Sequence, residues 1–158
     1  MDDQQWAALS ARLEAGETLD ASALGMLTED AFGSGTVGLV WDAISWDRAT
    51  AHLDVDARHH QPHGIVHGGV WCSLVESLAS VAGAVRAAAS GHIVVGVSNA
   101  TDFLRAHREG RVGAVATPIH VGRTQQLWQV EISRTSDGKV VARGQVRLQS
   151  LDPAVVSS

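Results

Sequence analysis

The chain is short of three things, and each shortage narrows what it can do. It has one cysteine, Cys72, so no intrachain disulfide can form and nothing points to an oxidising compartment. It has no excess of positive charge: the formal charge is -5, which argues against coating nucleic acid, although a local basic cluster can still hold a small anion. It also lacks an uninterrupted apolar run. The longest apolar segment, Val66 to Ala89, is broken by His67, Glu76, three serines and Arg86, and reads as a buried helix rather than a membrane span. The first residues, MDDQQWAALSARLEAG, are acidic and amphipathic, unlike a signal peptide, so a cytoplasmic protein is expected. At 158 residues and 45% hydrophobic, the chain suits a single globular domain.

Trp6, Leu9 and Leu13 sit three and four apart, which predicts a short amphipathic helix ending near Gly16. After Gly33, Ser34 and Gly35, alternation of Val37, Leu39 and Trp41, then of Ala51, Leu53 and Val55, predicts two strands joined by a turn at SWDR. A loop rich in His, Pro and Gly leads into a long helix from Gly68 to before Gly91, and four further strands follow. Asp137-Gly138 is a hairpin signal between the last two, and Pro118 demands an edge or a bulge. The division is an N-terminal helical extension over 1–32, a domain over 33–151 and a loose tail over 152–158. An apolar helix needs cover on most sides. A curved antiparallel sheet would supply it, and an open edge strand would invite a second copy to pair.

Within that helix one carboxylate, Glu76, has no basic residue three or four positions away. Ser73 and Ser80 share its face. A carboxylate buried among hydroxyls is costly unless solvent or a partner chain reaches it, and a cleft would make it a general base or nucleophile. An exposed helix face, or an arginine from elsewhere, is the plainer explanation. Gly68 and Gly69 at the helix start leave N–H groups unobstructed in the positive end of the helix field, where an oxyanion could sit. Gly68 and Glu76 are separated by roughly 12 Å of helix rise. One carbonyl group does not span that gap, so the carboxylate of a shared site would come from a second subunit.

The stretch HGGVWCSLVESLAS resembles the active-site helix of hotdog-fold acyl-CoA thioesterases, in the PaaI-type branch with 4-hydroxybenzoyl-CoA and 1,4-dihydroxy-2-naphthoyl-CoA thioesterases. TVGLVWDAISWDRATAHLDV, VVGVSNATDFLRAHREGRV and PIHVGRTQQLWQVEI extend the likeness from about Gly35 to Leu151. The resemblance implies an α+β fold, a curved antiparallel sheet around one central helix, dimerising edge to edge and often forming homotetramers. It implies that Glu76 is nucleophile or base and that the Gly68 N–H polarises the thioester carbonyl. Gln61 and His67 would order the site, and Ser80 would orient the acid or the water. Gly69 and Trp71 would line the substrate site, while Arg123 and Thr124 match a loop touching pantetheine. No metal and no cofactor are implied, coenzyme A being part of the substrate. A hotdog dehydratase or hydratase and a non-catalytic acyl-CoA binding protein are the alternatives.

Two further clusters stand apart. Arg105, His107, Arg108 and Arg111 form a basic stretch in an acidic chain, suited either to a solvated turn or to the phosphates of coenzyme A. His59, His60, His63 and His67 lack the spacing and companions of a metal site and read as solvated loop histidines, His67 alone facing the site.

Overall fold

A computed structural model describes residues 3–23 and 32–156. Helix α1 (Asp3–Glu14) buries Leu9 and Leu13, with Trp6 half-buried on the same face. The other elements are β1 (Leu19–Asp20), β2 (Val40–Ser45), β3 (Arg48–Val55), α2 (Gly68–Ala88), β4 (Ile93–Phe103), β5 (Gly110–Val121), β6 (Gln125–Arg134), β7 (Val140–Leu151) and α3 (Pro153–Val156). The strands form one antiparallel sheet in the order β1-β2-β3-β5-β6-β7-β4. The sheet curves around α2, which is the hotdog arrangement.

Helix α2 is long and apolar enough to cross a membrane by composition alone. Here it is the core: Leu74, Val75, Leu78, Ala79 and Val85 are at most 1% exposed, against Trp128, Val130 and Val146 of the sheet at 0%. Gln126, 2% exposed, ties helix to sheet by donating to the Gly83 carbonyl (3.1 Å) and accepting from Trp128 Nε1 (2.8 Å). A Cβ on Gly83 would lie 2.2 Å from Leu148 Cδ1. Gly83→Ala would gain ~1 kcal/mol of helix propensity but overpack the core at a cost of ~1–3 kcal/mol. Urea unfolding should show a net loss of about 1 kcal/mol, and a stabilised variant would contradict the packing.

Two sequence expectations change, the bulge expected at Pro118 is present, and the tail gains detail. The sheet gains a strand, because Leu19 and Asp20 pair with Ile44 and Ala43, and Leu9, Leu13 and Leu19 of the N-terminal extension join the core. Residues 24–31 of that extension lie outside the described residues. The first long strand starts at Val40, not Val37: Phe32–Val37 coils into a π-helical turn, and Gly38 at φ 88° reverses the chain into β2. Pro118 lies on an interior strand at a register shift between Pro118 and His120, so the bulge absorbs the missing N–H. The tail contains one helical turn, α3.

Strand β4 is the exposed edge, paired only with β7 among the described residues, and it leaves Val97 50% and Phe103 55% exposed.

Candidate active site

The chain enters α2 through His67, whose Nδ1 accepts the Gly69 N–H at 2.9 Å and caps the helix. That contact puts the proton of the neutral imidazole on Nε2. It also occupies Gly69, whereas the Gly68 N–H meets no acceptor among the described residues. Glycine at 68 lets Phe103 lie over the helix start, since a Cβ there would lie 2.4 Å from Phe103 Cε2 and displace the ring. Gln61, His67, Gly68, Trp71, Phe103 and Arg105 line a cleft of about 390 Å³ around this helix end. Trp71 does double duty, because it is 2% exposed and belongs to the core as well.

Glu76 lies two helical turns further on, outside that cleft, and is half-buried rather than fully buried. Ser80 Oγ donates to Oε1 at 3.1 Å, and Asn99 Nδ2 donates to Oε2 at 2.9 Å. The same amide reaches the Cys72 carbonyl at 3.1 Å, and Thr101 Oγ1 donates to its Oδ1 at 2.7 Å. Three contacts therefore set the orientation of Asn99. No arginine, lysine or histidine pairs with Glu76 among the described residues. Neutral donors orient the carboxylate and leave its charge uncompensated, as a base or nucleophile requires. Ser73 shares the helix face but donates instead to the Gly69 carbonyl at 2.7 Å.

Strand β4 supplies the far wall. Gly96 pairs with Leu148 and Ser98 with Arg147, so Val97 is an extra residue in the ladder. Without it Gly96 and Asn99, three apart, would face opposite sides of the sheet. With it both face Glu76, and a Cβ on Gly96 would lie 2.8 Å from Glu76 Oε1. Asn99 is the residue that sequence reasoning missed. It lies 23 positions from Glu76, and no local pattern connects the two.

The basic stretch is largely engaged. Arg111 forks onto Asp54 at 2.8 and 2.7 Å, which holds the Asp54 carboxyl below its usual range and raises Arg111. Arg108 donates to the Gly64 carbonyl at 2.7 Å, and Arg105 to the Val140 carbonyl at 2.6 Å. Arg123 has no partner among the described residues, and the Thr124 carbonyl accepts from Ser150 N–H at 2.9 Å. Of the loop histidines, His59 corrects the expectation: it is 4% exposed, its Nδ1 accepting from Asp56 N–H and its Nε2 meeting the Val37 carbonyl at 2.9 Å. No three His, Cys, Asp or Glu side chains converge among the described residues.

Comparison with known proteins identifies the family. A family model for the thioesterase superfamily matches residues 63–141, which span the helix-capping loop, α2 and the edge strand. The chain is 48% identical over 118 residues to the Rv1847 protein of Mycobacterium tuberculosis, covering 73% of this chain and 84% of that one. It is 35% identical over 116 residues to the proofreading thioesterase EntH of Cronobacter sakazakii, covering 73% and 80%. The crystal structure of thioesterase HI1161 from Haemophilus influenzae superposes with a TM-score of 0.75 at 32% identity, covering 85% and 92%. The chain belongs to the thioesterase superfamily and is a thioester hydrolase on a hotdog fold.

Proposed function

We propose that the protein hydrolyses acyl- or aryl-CoA thioesters at sites that two copies of the chain build together. The observation that carries this reading is Glu76, an unpaired carboxylate aimed by Ser80 and Asn99 at the open edge of the sheet. In the reaction, water adds to the thioester carbonyl, the C–S bond breaks, and the thiolate departs and takes up a proton. Glu76 supplies the electron pair, by attacking the carbon or by deprotonating the water that does. The Gly68 N–H holds the carbonyl oxygen as it gains charge, assisted by Gln61 and His67. Coenzyme A belongs to the substrate, and no further cofactor enters. Release of free thiol from benzoyl-CoA in steady state tests the activity; tight binding without release would leave only a binding protein.

The two halves are too far apart within one protomer, and β4 supplies a way to join them. Phe103 overlies Gly68, and Gly96 abuts Glu76. If two β4 edges pair antiparallel with Gly96 opposite the partner's Phe103, Gly68 of the partner subunit comes beside Glu76. Because Val97 is the extra residue, this register sets the two-fold axis at Ala100. A Cys at that position would face its own copy at ~4.5–5.5 Å between Cα atoms, within disulfide range. Ala100→Cys in a Cys72→Ser background should therefore cross-link to a dimer on a non-reducing gel under mild oxidation. A chain that stays monomeric there has another interface or none.

The same register supports a cationic end for the nucleotide. Val94 would lie opposite the partner's Arg105, and Val94 pairs with Ser150, whose N–H reaches Thr124. Arg105 and the Arg108 loop of one subunit, with Arg111 beside it, would then approach the unpaired Arg123 of the other around the phosphates of coenzyme A.

A further inference from the structure

A second cavity, about 300 Å³, lies where α1 crosses the C-terminal end of α2. Trp6, Ala84, Ala88, Ile93 and Val94 give it apolar walls, and His92 is its one titratable side chain. Its volume is at the small-ligand end of known binding sites, roughly 300–1,000 Å³. Its chemistry does not suit an anion, because the walls are apolar and the last turn of α2 presents the negative end of the helix field. A neutral ring carrying an amine does suit it. Carbonyl groups at a helix end accept from such an amine, and the half-buried Trp6 indole offers a face to stack on. Cations stand beside the cavity rather than in it. Val94 pairs with Ser150, whose N–H donates to the Thr124 carbonyl at 2.9 Å, which ties the loop of the unpaired Arg123 to this end of the sheet. Pro153, three residues after Ser150, belongs to the lining. Across the β4 edge, the register argued above sets the partner's Arg105 opposite Val94.

We infer that this cavity takes the adenine of coenzyme A, stacked on Trp6, with the phosphates outside it at Arg123 and the partner's Arg105. The inference rests on the proposed function and its register, and it gives a role to α1, which lies outside the matched residues 63–141. Trp6 is placed for stacking by the spacing that buries Leu9 and Leu13: it is the next apolar position on the inner face of α1, one turn nearer the N-terminus. There its ring walls the cavity instead of filling the core. Ala84 and Ala88 lie ~12 and ~18 Å of helix rise beyond Glu76, a separation that an extended pantetheine arm bridges. The substrates are therefore thioesters that carry the nucleotide. A thioester on the pantetheine arm alone would leave the cavity empty.

The test is the ratio of kcat/KM for benzoyl-CoA to that for S-benzoyl-pantetheine, which keeps the thioester and its arm but lacks the nucleotide. The wild-type chain should favour the CoA thioester. Trp6→Ala should cut the ratio by roughly 10-fold, as loss of one base–aromatic stack does, with turnover of the pantetheine thioester unchanged. Ala84→Leu fills the cavity from α2 and should cut the ratio by a similar factor, whereas Trp6→Phe keeps a ring face and should retain most of it. If Trp6→Ala and Ala84→Leu both keep the wild-type ratio, the adenine lies elsewhere and the inference is overturned. Binding of adenosine 3′,5′-bisphosphate provides a readout that needs no catalysis. It should quench the indole fluorescence of the wild-type chain, and the Trp6→Phe variant should lose that quenching. If the wild-type chain releases thiol from neither thioester, the proposed function falls, while quenching that requires Trp6 still supports the adenine site. Absence of quenching in the wild-type chain overturns it.

Discussion

Glu76→Gln is expected to lower kcat on benzoyl-CoA by at least ~10²-fold, the range for loss of a positioned general base. The substitution keeps volume and hydrogen bonds. The new amide oxygen can face Asn99 Nδ2, and the amide nitrogen can donate to Ser80 Oγ once that hydroxyl rotates to accept. Binding of a non-hydrolysable CoA thioester analogue should stay within a few-fold, because the Gly68 end is untouched. Melting temperature should change little, since no cation loses a partner. Ser80→Ala should cost less, ~10-fold, as Asn99 still holds one carboxylate oxygen. Near wild-type turnover by the Glu76→Gln variant would make the carboxylate structural and end this mechanism.

Two inactive variants should restore activity when mixed. Gly68→Val drives a side chain into Phe103, where even a Cβ would lie 2.4 Å from the ring, and it blocks the N–H proposed to receive the carbonyl. On its own it should be inactive to within ~10²-fold, like removal of an oxyanion donor. If each site takes Gly68 from one subunit and Glu76 from the other, a heterodimer of the Gly68→Val and Glu76→Gln chains has one intact site and one doubly damaged. After unfolding and co-refolding at equal amounts, half the dimers are mixed, so about a quarter of wild-type activity should return. A site contained in one protomer predicts no recovery at any ratio. The measurement is thiol release before and after mixing, with each parent refolded alone as the baseline.

What the sequence determined by itself was whatever lies within a few turns of one helix or along one strand. The 3.6-residue period fixes the extent of α2, the mismatch of one carboxylate against its apolar neighbours singles out Glu76, and the i, i+4 relation places Ser80 on it. Paired glycines after a histidine mark the helix start, and Nδ1 of His67 caps it as such a loop residue can. The tertiary structure alone decided what crosses between elements. Asn99 meets Glu76 because a bulge at Val97 turns the edge strand, and a bulge has no signature in a run of valines, glycine and serine. His59 is buried, contrary to its polar loop, because the turn at Phe32–Val37 brings the Val37 carbonyl to it. Arg111 is held by Asp54 because β3 and β5 are neighbours, a pairing across 57 residues of chain. Local patterning is set by helix and strand periodicity, whereas contacts between distant segments depend on register and sheet order, which neighbouring residues do not encode.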